Sequence, residues 1–133
     1  MKLLSLIFGL FLFFKISWLH QNKPLEESIA DGGEIYQDFC VQCHLDSGEG
    51  VSGVFPPLAD SDYLLNNIGL SIKGIKYGLN GPIEVNGETY DGVMQNQGLE
   101  EEEIADVMNY ILNSWNNSSE QVITPQRVSQ IQE

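Results

Sequence analysis

Cys40-Val41-Gln42-Cys43-His44 is the segment of this chain whose residue types and spacing can do chemistry. Two thiols three positions apart lie about one helical turn from each other. They are spaced to add to the two vinyl groups on one edge of a porphyrin. The next residue, His44, is then held under the ring with its imidazole aimed at the iron. C-x-x-C-H is the attachment signature of covalent haem c, and it occurs once, which predicts one haem. Other uses of the trio fit less well. A C-x-x-C disulfide oxidoreductase wants a strand before the motif and a βαβ chain around it, but here the preceding residues read as helix. Structural zinc takes four ligands, and no second Cys or His pair is present. An inert cysteine pair would leave the adjoining histidine and the Gly/Pro-rich stretch after it without a purpose.

The iron's opposite ligand can be narrowed by counting. The only other histidine, His20, lies in the N-terminal segment, so a second imidazole is not expected. Methionine is the usual alternative and raises the reduction potential. Met108 falls on the apolar face of a helix, where a methionine is ordinarily packing. Met94 sits in Asp91–Gly98, a glycine-flanked stretch read as a loop, and is the expected ligand. An open sixth position is the remaining alternative.

These residues need a scaffold. Ile35, Tyr36 and Phe39 at helical spacing predict a first helix from about Gly32 into Cys43, with Asp31 as its cap. Residues 46–59 hold Gly48, Gly50, Gly53, Pro56 and Pro57 and read as a long irregular binding loop. Short helices are expected from Asp60 to about Asn66 and from Ser71 to Leu79. Asn86-Gly87 between two short alternating runs predicts a small hairpin over residues 83–90. Ile104, Val107, Met108, Ile111, Leu112 and Trp115 fall on one face of a last helix. Glu100 to Glu103 lie in its first turn, where the helix dipole favours carboxylates. Residues 117–133 read as a polar tail, with Thr124-Pro125 opening a short helix.

The ends and the charge bound the setting. Leu3 to Phe14 is apolar apart from Ser5 and Gly9, about right for the core of a signal peptide and short for a spanning helix. Residues 1–22 are therefore expected to direct export, as a cleaved signal peptide or as a retained anchor through residues 3–19. Residues 23–30 read as a linker and residues 31–116 as one domain. The chain carries 19 acidic residues against 6 basic, a formal net charge of −13. Beyond residue 22 the balance is 4 bases to 19 acids, about −15. Nucleic-acid phosphates and anionic lipid surfaces are poor partners for such a chain. A redox protein presenting a basic patch is a good one.

With these residues in view, the sequence resembles the class I cytochrome c family, in particular its small bacterial haem c domains. The likeness covers about residues 31–116. Gly33, Tyr36 and Tyr110 match positions where the first and last helices pack. Cys40, Cys43 and His44 match the haem motif, and Gly92-Val93-Met94 matches the ligand loop. Phe55-Pro56-Pro57-Leu58 matches a segment where a proline carbonyl accepts the histidine's second N–H. The resemblance thus implies that Pro56 holds His44 and that Leu58 lies against the haem. It departs at Gln95, where the family usually has proline. The resemblance implies an all-α fold, three main helices and one or two short ones around a covalently bound haem, with a small β-hairpin. The implied role is that of a one-electron carrier in the periplasm, passing electrons between a dehydrogenase and a reductase or terminal oxidase of a respiratory chain. A haem c peroxidase or gas sensor with a labile sixth ligand, and a fixed haem c subunit of a membrane complex, are the alternatives.

Overall fold

The computed structural model describes residues 23–133, so the expected export segment, residues 1–22, lies outside the described residues. Six helices and two antiparallel two-stranded pairs are present among them. In chain order they are α1 (Leu25–Phe39), α2 (Val41–His44), α3 (Asp62–Asn66), α4 (Ile68–Tyr77), β1 (Leu79–Asn80), β2 (Ile83–Val85), β3 (Glu88–Tyr90), β4 (Val93–Met94), α5 (Glu101–Leu112) and α6 (Pro125–Ser129). Three main helices, α1, α4 and α5, carry the expected all-α architecture, with three short helices beside them. The hairpin β2–β3 turns at Asn86-Gly87, where both residues adopt positive φ, as the type I′ turn requires.

α1 begins earlier than the sequence predicts. The residues read as a linker form its first turns, and Asp31 is an interior helix residue, not a cap. Pro24 occupies the N-cap position, with Glu26 and Glu27 in the first turn. The Gly32-Gly33 pair that looked like a helix boundary is instead a packing device. α1 crosses α5 so closely at Gly32 that a Cβ there would lie 2.0 Å from the Asp106 carbonyl oxygen. Only glycine allows that approach.

α5 is set by local sequence. Glu100 and Glu103 form a reciprocal capping box, which satisfies N–H groups the first turn leaves unpaired. Ile104, Val107, Met108, Ile111 and Leu112 are buried as their spacing predicts. Trp115 lies past the helix end with φ 51°, yet still packs against the core.

A polar network closes the back of the α1–α5 crossing. Lys23 Nζ donates to Asp106 Oδ2 and Asp31 Oδ2, each at 2.7 Å. Ser28 Oγ donates to Asp106 Oδ1 at 2.6 Å. Asp106 is buried, and a buried carboxylate is tolerated only when paired in this way. The same bonds, that to Asp106 foremost, hold the Lys23 ammonium well above its ordinary pKa. Asn109 Nδ2 donates to Ser28 Oγ and to Ile123 O, and Asn109 Oδ1 accepts from Ile123 N–H at 2.8 Å.

That clamp makes the tail part of the fold. Ile123 and Val128 are buried, Thr124 caps α6, and Lys76 and Tyr77 donate to the carbonyls of Val128 and Ile131. No helix of the described residues is long and apolar enough to cross a membrane.

Replacing Gly32 by Ala drives a methyl into the α5 backbone and is expected to cost about 3 kcal/mol, the upper range for overpacking. Gly33→Ala meets only the edge of the Tyr110 ring, at 3.3 Å. The small displacement of that ring offsets the gain in helix propensity, about 1 kcal/mol, so stability should stay nearly unchanged. Urea denaturation of the two variants checks the contrast.

Candidate haem site

α1 ends at Phe39, and Cys40 closes it with its N–H on Tyr36 O at 2.9 Å. The single turn α2 starts at once, because Cys43 and His44 both return N–H bonds to Cys40 O. Cys40 and Cys43 are thereby held on one turn with free thiols, and His44 follows, buried. The chain then runs into the irregular loop over residues 45–60. This loop folds back on itself: Gly50 N–H bonds His44 O, and Leu58 and Ala59 N–H both bond Gly48 O. Gly50 has φ 62°, and a Cβ there would sit 2.3 Å from Phe55 O, so the fold-back needs glycine. It delivers the Pro56 carbonyl to 3.0 Å from His44 Nδ1. Nδ1–H donates to that carbonyl, which leaves Nε2 as the nitrogen with a lone pair.

A second wall comes from the β segments. Met94, expected in a loop, lies in β4, which pairs with β1 in the register Leu79↔Met94 and Asn80↔Val93. Gly78 permits the pairing, since a Cβ at its φ of 89° would come within 2.9 Å of Met94 O. Strand pairing thus restrains the segment in which Gln95 stands instead of proline.

Two adjoining cavities, of about 200 and 80 Å³, lie between these walls. Cys40, His44, Pro56, Ile75, Leu79 and Met94 line both. Cys43 lines the outer one, and Leu58 and Met108 the inner one. Every site residue named from the sequence therefore lines at least one of the two cavities. Met108 reaches it from the buried face of α5, whereas Met94 is half-buried on β4. Phe39, Val54 and Val93 line the outer cavity and remain 43%, 53% and 63% exposed, which makes its mouth an apolar rim.

The electrostatics favour ligation over thiol redox chemistry. Burial pushes the His44 pKa down, against the smaller opposing effect of the Pro56 carbonyl, which favours the neutral form a metal ligand needs. Burial, and then the neighbouring Cys43, push the Cys40 thiol up to about 11. A dithiol oxidoreductase needs the reverse, a stabilised thiolate. Two thiols and an imidazole on one turn, a thioether on the facing segment and apolar walls between them are a donor set and an enclosure that fit a haem.

Sequence reading missed three contributors. Tyr90 and Ile83 of the hairpin line the outer cavity. Asn117, passed over at the start of the polar tail, donates to Leu58 O and Ile111 O and accepts from Asp60 N–H, tying the binding loop to α5. No local pattern marks a residue whose partners lie 57 and 59 positions away.

Comparison with known proteins gives the same result. The model of the cytochrome c family matches residues 29–115. Cytochrome c-552 of Thermus thermophilus is 43% identical over 94 residues, which cover 67% of this chain and 71% of that protein. A second cytochrome c-552 of the same species is equally similar, with 63% of its length covered. The cytochrome c subunit of a quinone alcohol dehydrogenase from Gluconobacter oxydans is 28% identical over 91 residues, only 19% of its own length. The fold and the cavity are those of a protein that carries one covalent haem c and its iron. The chain belongs to the cytochrome c family, as a class I, single-haem member.

One ion-dipole contact fastens the cavity mouth. Glu88 accepts from Ser52 Oγ at 2.7 Å and from Tyr90 Oη at 2.9 Å, joining the hairpin to the loop that carries Val54 and Phe55. These donors, Ser52 foremost, hold the Glu88 carboxyl below its ordinary pKa. Its contribution is complete above the unfolded carboxylate pKa and is lost as pH falls through the lower folded value. Glu88→Gln should therefore be less stable than the parent near neutral pH, with the difference vanishing on acidification. Urea midpoints across that range measure it.

Proposed function

We propose that the chain shuttles single electrons between extracytoplasmic redox partners of a respiratory chain, with Cys40 and Cys43 tethering the haem and His44 and Met94 ligating its iron. The supporting observation is that one cavity is lined by both thiols, Met94 and His44, whose Nδ1 is already committed to Pro56. When bound, the haem supplies a one-electron iron couple. The protein's residues do the rest. Pro56 fixes the imidazole's tautomer and rotation, so Nε2 is presented without rearrangement. The β1–β4 pairing holds the Met94 thioether in place. Ile75, Leu79 and Leu58 exclude water and lower the local dielectric, which together with a thioether ligand favours the reduced state.

Two protein ligands leave no position for a substrate, and no second histidine remains in the described residues to act as acid or base. Electron transfer therefore fits better than peroxide or gas chemistry. Partners meet the apolar rim of Phe39, Val54 and Val93, within a strongly acidic surface suited to a basic patch. A dehydrogenase is the natural donor and a reductase or terminal oxidase the acceptor. The similarity to alcohol dehydrogenase subunits favours a second arrangement, in which this domain is the fixed electron arm of a complex. Residues 1–22 direct export to the periplasm, and if retained, residues 3–19 provide the tether.

Absorption spectroscopy of the exported protein tests the ligation. The oxidised form should show the weak long-wavelength band of a sulfur–iron bond, and carbon monoxide should leave the reduced spectrum unchanged. Met94→Ala should abolish the band and admit carbon monoxide, while Met108→Leu should do neither. Immediate carbon monoxide binding by the unaltered protein would overturn the closed-site reading.

A further inference from the structure

Leu45, the residue after His44, has φ 63° and ψ 169°. That region belongs almost entirely to glycine, because a Cβ clashes there. A leucine persists in it only where its surroundings over-determine the backbone. Here three hydrogen bonds do so. Leu45 N–H donates to Val41 O at 2.9 Å, and Leu45 O accepts from Gly48 N–H at 3.1 Å and from the Tyr36 hydroxyl at 2.7 Å.

Tyr36 is fully buried in α1, with its ring centroid 5.4 Å from that of Tyr110 and 5.0 Å from that of Trp115. Trp115 Nε1 donates to Asp46 O at 3.1 Å, and its ring covers Gly48, where a Cβ would sit 2.5 Å from it. Side chains from α1 and from beyond α5 thus grip the two carbonyls after His44. Tyr36 and Trp115 line neither cavity.

The geometry points to Tyr36 as a positioning residue, whose hydroxyl pins the strained Leu45 peptide and through it the direction of the His44 imidazole. This rests on the reading of His44 as the iron's ligand. Two connections transmit the restraint. The held Leu45–Asp46 peptide reaches the His44 Cα through the strained Leu45 Cα and the His44–Leu45 peptide, whose N–H is fixed on Val41 O. Gly48, bonded to Leu45 O, also holds Leu58 and Ala59 through its own carbonyl, and those residues follow the Pro56 that holds the ring's other side. Freeing the Leu45 peptide therefore disturbs both the histidine's backbone and its hydrogen-bond partner. The stored strain supplies the force for that movement.

A four-member cycle in the haem-loaded protein tests this: parent, Tyr36→Phe, Leu45→Gly and the double variant. Phenylalanine keeps the ring and its stacking, and Leu45 O retains the Gly48 bond. The readouts are the reduction potential and the oxidised-state NMR shifts of the His44 ring and haem methyls. Tyr36→Phe alone should move both. Leu45→Gly alone should leave both at parental values and raise the urea midpoint, because glycine removes the strain. Tyr36→Phe should then move nothing in the Leu45→Gly background. An unmoved spectrum for Tyr36→Phe, an equal shift in both backgrounds, or a lower urea midpoint for Leu45→Gly overturns the inference. If Tyr36→Phe does not fold, the Leu45→Gly midpoint still decides. A parent that shows normal histidine–methionine ligation while the cycle lacks coupling removes this inference alone and leaves the ligation reading standing.

Discussion

The crossing of α1 over α5 at Gly32 is the constraint from which the rest of the molecule takes its geometry. A glycine inside a helix costs about 1 kcal/mol relative to alanine. The fold accepts that cost because no other residue lets the two backbones approach so closely. On one side of the crossing the approach lets Ser28 and Lys23 reach Asp106. On the other it stacks Tyr36, Tyr110 and Trp115 within 5.5 Å of one another. Cys40 follows α1 directly, so the position of the haem motif is inherited from this one contact.

The site itself is assembled from segments with little regular structure. A helix or strand commits its own carbonyls to internal hydrogen bonds. A loop carbonyl is available, and Pro56 can offer one to His44 because the loop's other bonds are met by Gly48, Gly50 and Asn117. The burial of His44 would be costly without such a partner. The same bond that satisfies the ring also selects its tautomer. Satisfying a buried donor and fixing which nitrogen keeps its lone pair are here one interaction.

How legible this was depended on range. The motif is three chemical groups within five residues, and its chemistry could be read outright. The face of α5 was legible because periodicity is a local signal. So was the Asn86-Gly87 turn. The start of α1 was misread, because Gly32-Gly33 carries the same letters whether it ends a helix or admits a neighbour. The Met94 segment looked like loop, since two-residue strands exist only by virtue of their partner. The tail read as polar and outside the domain, because Ile123 and Val128 are isolated apolar residues until Asn109 brings residue 123 to α5. Leu45 bore no mark at all, because its strain arises from Tyr36 and Gly48 together.

The acidic surface divides into charges with different work. Glu100 to Glu103 cap and stabilise α5, Asp106 and Asp31 pair with Lys23, and Glu88 fastens the hairpin. The remaining carboxylates form a field that reaches roughly one Debye length, about 8 Å at physiological ionic strength. Such a field hastens the approach of a basic partner without adding much to the final contact. The rim of Phe39, Val54 and Val93 acts only at contact, where it can lose water. Weak redox encounters bury less than about 1,200 Å² in total, and three side chains suit an interface of that size. On the proposed reading as a mobile carrier, attraction in the far field and only a small apolar area at the cavity mouth would reconcile fast arrival with fast release.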